Sequence, residues 1–239
     1  LAELSNLPDA SDDREVVNAN LQWWQVALNG QSQHPALIAL SQSGAAQRVA
    51  TSRLCEFIET VVGLCQADAR FERYEELWAY CLALGGRAAV LEASLVSGKH
   101  GGDEAPASVL GAAGYLFRIV RDLGFDARQN RWLAPLDLQA QFQIGRHDAV
   151  ESAAGPGWDG LVRTLVERGM RAALAAEREL SAEQRHLAIS WALDQRLGLT
   201  LMRRPARILS QRVLPGHVGN VWTAWRAALR LTGESPPRY

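Results

Sequence analysis

Apolar side chains recur at three- and four-residue spacing along nearly the whole chain, and no stretch shows the strict alternation that a half-buried strand requires. The pattern predicts an all-α protein. Its clearest segment is 158–179, where Trp158, Leu161, Val162, Leu165, Val166, Met170, Ala173 and Leu174 form one stripe while Arg163, Glu167, Arg168, Arg171 and Arg178 lie off it. Asp12 or Asp13 is placed to cap a helix over 14–28 that Asn29-Gly30 ends, and Pro35 suits the first turn of a helix over 34–41. Further helices are predicted near 47–67, 74–96, 107–123, 182–202, 206–213 and 218–231, with Pro205 separating two of them. The segment 107–123 is apolar almost all round, which marks a helix in the middle of a bundle.

The connections are short except 97–105 and 152–157, and neither reads as a domain boundary, so a single domain over 1–239 is expected. The first of them holds glycine and lysine, but it follows a helix and lacks the GxxxxGK[ST] spacing of a phosphate-cradling loop. Trp23 and Trp24 are adjacent. Neighbouring helical positions diverge by about 100°, so one indole is expected in the core and the other at the surface, where it would suit a partner or a membrane.

Composition narrows the function classes. The chain has 239 residues, 25 basic against 26 acidic side chains and a formal net charge of −1, so no global field is expected to draw it onto nucleic acid or an anionic membrane. Of the basic residues only Lys99 is a lysine; the other 24 are arginines. Cys55, Cys65 and Cys81 are odd in number and form no CxxC pair, so a reducing, cytoplasmic setting is expected, with peripheral membrane contact the alternative to free solution. No run of about 18 apolar residues is present, so no transmembrane span is expected. The chain opens at Leu1 without signal-peptide character, and a segment upstream of it is expected.

Familiar catalytic motifs are absent: there is no GxSxG, no HExxH and no zinc-like Cys/His spacing, and the five histidines stand apart. Two features depart from an ordinary bundle. If the central helix continues through Gly124, Asp122 and Asp126 fall on one face, where like charges oppose each other unless a cation lies between them. Mg²⁺ would do so, sharing its remaining positions with phosphate, and Arg128 and Arg131 suit bidentate phosphate contacts. Alternatively Arg118, four residues before Asp122, and the nearby arginines neutralise the acids without metal. The second feature is Gly85-Gly86 inside a predicted helix, where each glycine costs about 1 kcal/mol against alanine. Close helix packing and close approach of a ligand explain the pair equally well.

These residues resemble the squalene/phytoene synthase family, the head-to-head prenyl diphosphate synthases of the all-α isoprenoid synthase fold. Residues 118–142, RIVRDLGFDARQNRWLAPLDLQAQF, are similar to that family's second aspartate-rich segment, NxxRDxxxDxxRGRxYLPxDxLxxF. The resemblance places Asp122 and Asp126 on its metal-binding aspartates, Arg121, Arg128 and Arg131 on its basic, diphosphate-holding positions, and Pro135 and Asp137 on the segment that follows. Residues 74–98, YEELWAYCLALGGRAAVLEASLVSG, resemble the signature that runs through YC and a small-residue kink, and residues 21–40 resemble the segment after the first aspartate motif. The resemblance implies a helical bundle with a central cavity, two facing aspartate-rich helices with Mg²⁺ between them, and condensation of two farnesyl or geranylgeranyl diphosphates.

The chain departs from that pattern at identifiable positions. The best equivalent of the first aspartate motif is Ala2-Glu3-Leu4-Ser5-Asn6, with one carboxylate where three are expected. Arg118 stands in place of asparagine, Tyr115 in place of glutamine, and Arg87 in place of a small residue after the glycines. These arginines are expected to face the cavity and to pair with Asp122 and Asp126 in place of metal. Three functions follow as expectations: a protein with weak or lost prenyltransferase activity that serves in binding or assembly, like family relatives implicated in respiratory complex I assembly; an active Mg²⁺-dependent prenyltransferase; or a cavity for another apolar or anionic ligand.

Overall fold

The computed structural model describes residues 14–29, 33–42, 44, 49, 51–66, 69–97, 103–153 and 155–232. Among them every regular element is helical: α1 (Arg14–Asn29), α2 (Pro35–Gln42), α3 (Thr51–Gln66), α4 (Tyr74–Cys81), a π-helical segment (Leu82–Gly86), α5 (Arg87–Ser97), α6 (Ala105–Arg128), α7 (Leu136–Phe142), α8 (Arg146–Val150), α9 (Pro156–Glu177), α10 (Leu187–Arg203), α11 (Arg207–Ser210) and α12 (His217–Thr232). The all-α reading of the sequence holds. Asp12, Asp13 and the Ala2–Asn6 stretch lie outside the described residues.

Helix α6 is the axis. The π segment, α5, α9, α10 and α11 all pack on it, so it must be apolar nearly all round. Leu110, Ala113, Leu116, Phe117, Val120 and Leu123 are buried along it. Facing them, α9 contributes Trp158, Leu161, Leu165 and Val166, and α10 contributes Trp191, whose ring lies 6.1 Å from that of Phe117. Each such side chain removed from water contributes about 1.5–3 kcal/mol before the entropy cost of ordering it.

Four details differ from the sequence expectation. Helix α6 runs five residues past 123, because Gly124 does not end it; the backbone of Ile208 and Leu209 approaches so closely there that only glycine fits. Residues 182–186 form turns, so α10 starts at Leu187. The short helices α7 and α8, seven and five residues long, span too few turns to show a period. Finally, Tyr74–Ser97 is a continuous rod long and apolar enough to cross a bilayer. Half of it is buried against the bundle, Leu77, Tyr80, Cys81 and Leu84 among its core residues, so it is a core helix.

At the other end of the chain Trp24 is buried and Trp23 is half exposed, as the helical divergence of neighbours requires. The His34 ring lies 4.8 Å from Trp24 and 5.5 Å from Trp23, bracing α2 against α1.

Candidate functional site

Gly111, Tyr115, Arg118, Asp122 and Asp126 follow one another at spacings of four, three, four and four, so they share one face of α6. The upper part of that face is apolar and meets the π segment. A Cβ on Gly85 would overlap the Gly111 carbonyl oxygen and lie 2.5 Å from the Cβ of Tyr115; one on Gly111 would overlap the Gly85 carbonyl and lie 2.6 Å from the Cβ of Ala89. Backbone therefore touches backbone at this crossing. Of the two explanations open for Gly85-Gly86, helix packing is the one the structure shows.

One turn on, polar groups begin. Asp194 of α10 lies with its carboxylate against Gly114, in a space that any β-carbon there would fill. The Arg118 guanidinium donates to Asp194 Oδ1 at 3.1 Å and sits 5.8 Å from the centre of the Tyr115 ring. Burial pushes the Asp194 carboxyl above the ordinary carboxylate range, while Arg118 and then Arg121 pull it back. Burial likewise raises the Cys81 thiol of α4, against a smaller opposing effect of Arg118, so this cysteine is an unreactive thiol.

Asp122 is next, and it is tightly held. The long side chain of Arg121 folds along the helix to give a fork of two bonds, Nε to Oδ1 at 2.9 Å and Nη2 to Oδ2 at 2.6 Å. From the connection after α11, Arg212 adds a bond from Nε to Oδ1 at 2.7 Å. Arg212 itself leans over the Phe125 ring. The Asp122 side chain is 13% exposed and Arg121 18%, whereas Arg212 is 53% exposed, so this is a half-covered cluster with one wet cation.

The remaining motif residues have structural partners. Arg128 donates to the Leu209 carbonyl at 2.7 Å and ties α11 to the end of α6. Arg131 sends its main-chain N–H to the Asp126 carbonyl at 2.8 Å, closing the helix terminus, and Arg146 caps the Ala127 carbonyl at 2.8 Å. Pro135 is the N-cap of α7, and Asp137 accepts from its neighbour's Leu138 N–H at 2.7 Å and from Tyr74 N–H at 3.3 Å. Asp137 thereby docks α7 on the start of α4.

Two expectations about this region need correction. Arg118 was expected to pair with Asp122 or Asp126, but it reaches Asp194, because Arg121 and Arg212 already cover both oxygens of Asp122 and Gly114 lets Asp194 come close. Arg87 was expected to face the cavity; it is exposed and donates to Thr60 of α3 at 2.8 Å. Conversely, Asp194 and Arg212 were missed. Asp194 had a signal, since it interrupts the stripe Leu187, Trp191, Leu197 and Leu201 on which α10 buries itself. Arg212 had none, being in an irregular connection brought back to α6 only by the turn at Pro205 and α11.

Two carboxylates one turn apart are the right donors for Mg²⁺, which takes one or two carboxylates and shares the rest with phosphate and water. As arranged, though, both oxygens of Asp122 are occupied by the guanidinium groups of Arg121 and Arg212, and Arg118 pairs with Asp194. The described residues therefore do not fit the metal at Asp122 unless Arg121 and Arg212 leave it.

The Asp194 shift has a sign that can be measured. A carboxyl with a raised folded-state pKa binds its proton more tightly in the native state, so stability is full below the unfolded value and falls as pH rises through the folded one. Asp194→Asn keeps an oxygen for Arg118 and removes the half-buried charge. Thermal melts from pH 4 to pH 8 are expected to show a smaller fall in stability with rising pH than the parent; an unchanged profile would place the titration elsewhere.

The sequence-family profile described as squalene/phytoene synthase matches residues 1–226. A 15-cis-phytoene synthase of Synechocystis is 26% identical over 129 residues, 49% of this chain and 38% of that protein. Phytoene synthase 3 of Zea mays, a chloroplastic protein, is 26% identical over 126 residues, 49% of this chain and 30% of its own length. Each alignment thus spans less than half of the curated relative it matches. Among solved structures, a dehydrosqualene synthase in complex with ligand superposes with TM-score 0.76 at 18% identity, covering 97% of this chain and 85% of that one. Squalene synthase HpnC from Alicyclobacillus acidocaldarius superposes with TM-score 0.54 at 20% identity, covering 98% and 80%.

Proposed function

Because the chain belongs to the squalene/phytoene synthase family, we propose that it keeps the scaffold of a head-to-head prenyltransferase but serves chiefly as a binding or assembly protein, with condensation weak or lost. The observation that carries this reading is Asp122. Its two oxygens hold three guanidinium bonds at 2.6–2.9 Å, so the acid that would bind metal in the family is neutralised by the protein's own arginines. Arg128, placed by the family motif among the diphosphate-holding residues, is engaged with the Leu209 carbonyl instead. What such a site offers a prenyl diphosphate or another apolar anion is guanidinium groups already paired with carboxylates, of which Arg212 is the most exposed. We place the protein in the cytoplasm as part of the same proposal, in keeping with an odd number of cysteines that form no CxxC pair.

The second reading is active Mg²⁺-dependent condensation. It is favoured by Asp122 and Asp126 standing one turn apart on one face of α6, with Arg121 beside them. In that reading the two aspartates would hold the metal, and Arg121, Arg128 and Arg131 the diphosphate, after the guanidinium bonds to Asp122 and the Arg128 bond to the Leu209 carbonyl open. The metal would stabilise the leaving diphosphate.

Incubation with farnesyl or geranylgeranyl diphosphate and Mg²⁺, with release of diphosphate as the readout, separates the two. The expected result is background release, equal in the parent and in Asp122→Asn. Turnover that Asp122→Asn abolishes would overturn the binding-protein reading in favour of the enzyme. Calorimetry with farnesyl diphosphate is expected to show binding of similar strength with Mg²⁺ and with chelator, since the anion meets arginines rather than metal.

A further inference from the structure

Helix α12 is amphipathic in an inverted sense. Its small residues Gly219, Thr223 and Ala227, at spacing four, form the side that meets α10: a Cβ at Gly219 would overlap the Arg196 guanidinium, Thr223 lines a cavity of about 260 Å³ with Leu199, Thr200 and Arg203 of α10, and Ala227 is buried. Its large apolar residues point away. Val218 is 86% exposed, Val221 71%, Trp222 46% and Trp225 38%, and Leu214 just before the helix is 65% exposed. Positions 218, 221, 222 and 225 lie on one face, where the two indole rings are 4.9 Å apart. A helix that needed only its own bundle would turn these side chains inward.

The charge along this stretch of the chain is as unusual as the exposure of the face. Residues 195–232 contain seven arginines and no aspartate or glutamate, within a chain whose formal net charge is −1. Arg203, Arg204, Arg207, Arg226 and Arg230 are all exposed, and Arg203 borders the α10–α12 cavity beside Thr223. The weak global charge therefore conceals a strongly cationic stretch of the chain.

We propose that the exposed face of α12 docks the protein on an anionic phospholipid surface, with Trp222 and Trp225 at the headgroup level, Val218, Val221 and Leu214 entering the acyl boundary, and Arg226 and Arg230 meeting lipid phosphates. An interfacial helix has this composition: an apolar face carrying tryptophan, flanked by arginines whose aliphatic stems lie along the surface while their heads reach anionic groups. Charge complementarity favours lipid over a neutral protein groove. The aliphatic stripe favours lipid over nucleic acid, which would use the arginines and indoles but leave Val218, Val221 and Leu214 against water. The inference is independent of whether the protein condenses prenyl diphosphates.

Flotation of the full chain with vesicles tests it. Binding is expected to vesicles of phosphatidylcholine with 30% phosphatidylserine at about 0.1 M salt, with little binding to phosphatidylcholine alone and loss of binding near 0.5 M salt, where screening shortens the reach of the arginines. Arg226→Gln with Arg230→Gln is expected to weaken partitioning roughly 25-fold, about fivefold for each arginine. Trp222→Ser with Trp225→Ser should weaken it at least tenfold on the order expected for two interfacial indoles, with the circular dichroism spectrum unchanged. Failure of the parent to float with anionic vesicles overturns the proposal, and this holds even if a variant does not fold. So does flotation of both folded variants at parental strength, or displacement from vesicles by an oligonucleotide duplex that binds more tightly than lipid.

Discussion

Trp158→Ala is expected to lower stability by about 3–5 kcal/mol, the usual cost of truncating a fully buried indole. In a chain of this size that corresponds to a fall of roughly 6–20 °C in melting temperature. Trp158 is 1% exposed at the start of α9, packed into the face that meets α6, and its indole N–H donates to the Pro205 carbonyl at 2.9 Å. Truncation leaves both a cavity and a buried carbonyl without its donor. The second loss reaches the candidate site, because Pro205 opens the turn into α11 and on to Arg212, which holds Asp122. Trp158→Phe separates the two contributions: it keeps most of the ring and deletes the hydrogen bond, at a cost of about 1–3 kcal/mol. Melting curves give the stability of both variants. Hydrogen exchange at residues 206–213 is expected to rise in both, and equal protection in Trp158→Phe and the parent would show that the bond to Pro205 does not anchor Arg212.

Gly111→Ala is the next largest. The same change in a solvent-facing helix interior is stabilising by about 0.5–1 kcal/mol, because alanine loses less backbone entropy. Gly63 of α3, with nothing near the position of a Cβ, is expected to behave that way. At Gly111 the new methyl would run into the Gly85 carbonyl, a backbone atom that cannot rotate aside, and into Ala89. The helices must separate or the π segment must rearrange, at about 2–3 kcal/mol. Opposite signs of the melting shift for Gly111→Ala and Gly63→Ala are the check. Equal signs would mean that the close crossing of α6 and the π segment yields more easily than its geometry indicates.

The stripe of 158–179 became α9 with ends shifted by two residues, and the all-round apolar segment at 107–123 became the central helix. Both follow from periodicity alone, since a side chain's angular position on a helix is set by its number. The aspartate segment was legible in the same way: once α6 runs through Gly124, Asp122 and Asp126 share a face by spacing. The partners of those aspartates were not legible. Arg118, the near neighbour by sequence, turned to Asp194, seventy-six positions away, and Arg212 came to Asp122 from ninety. A guanidinium on its long stem reaches several turns or elements, so local spacing leaves its acceptor undetermined. Gly85-Gly86 shows the same limit, because a glycine pair announces close approach without saying of what.

By itself, then, the sequence determined that this chain is an all-α bundle with α6 at its axis, a family resemblance centred on residues 118–142, and a surplus of arginine. Helical period and motif spacing are local properties, and they survive in any arrangement of the helices. Only the tertiary structure decided that Gly85 and Gly86 meet the backbone of α6, that Asp122 is neutralised by Arg121 and Arg212, and that α12 leaves Trp222 and Trp225 exposed. Those outcomes depend on which elements pack side by side, and long-range packing brings together residues that no local pattern connects.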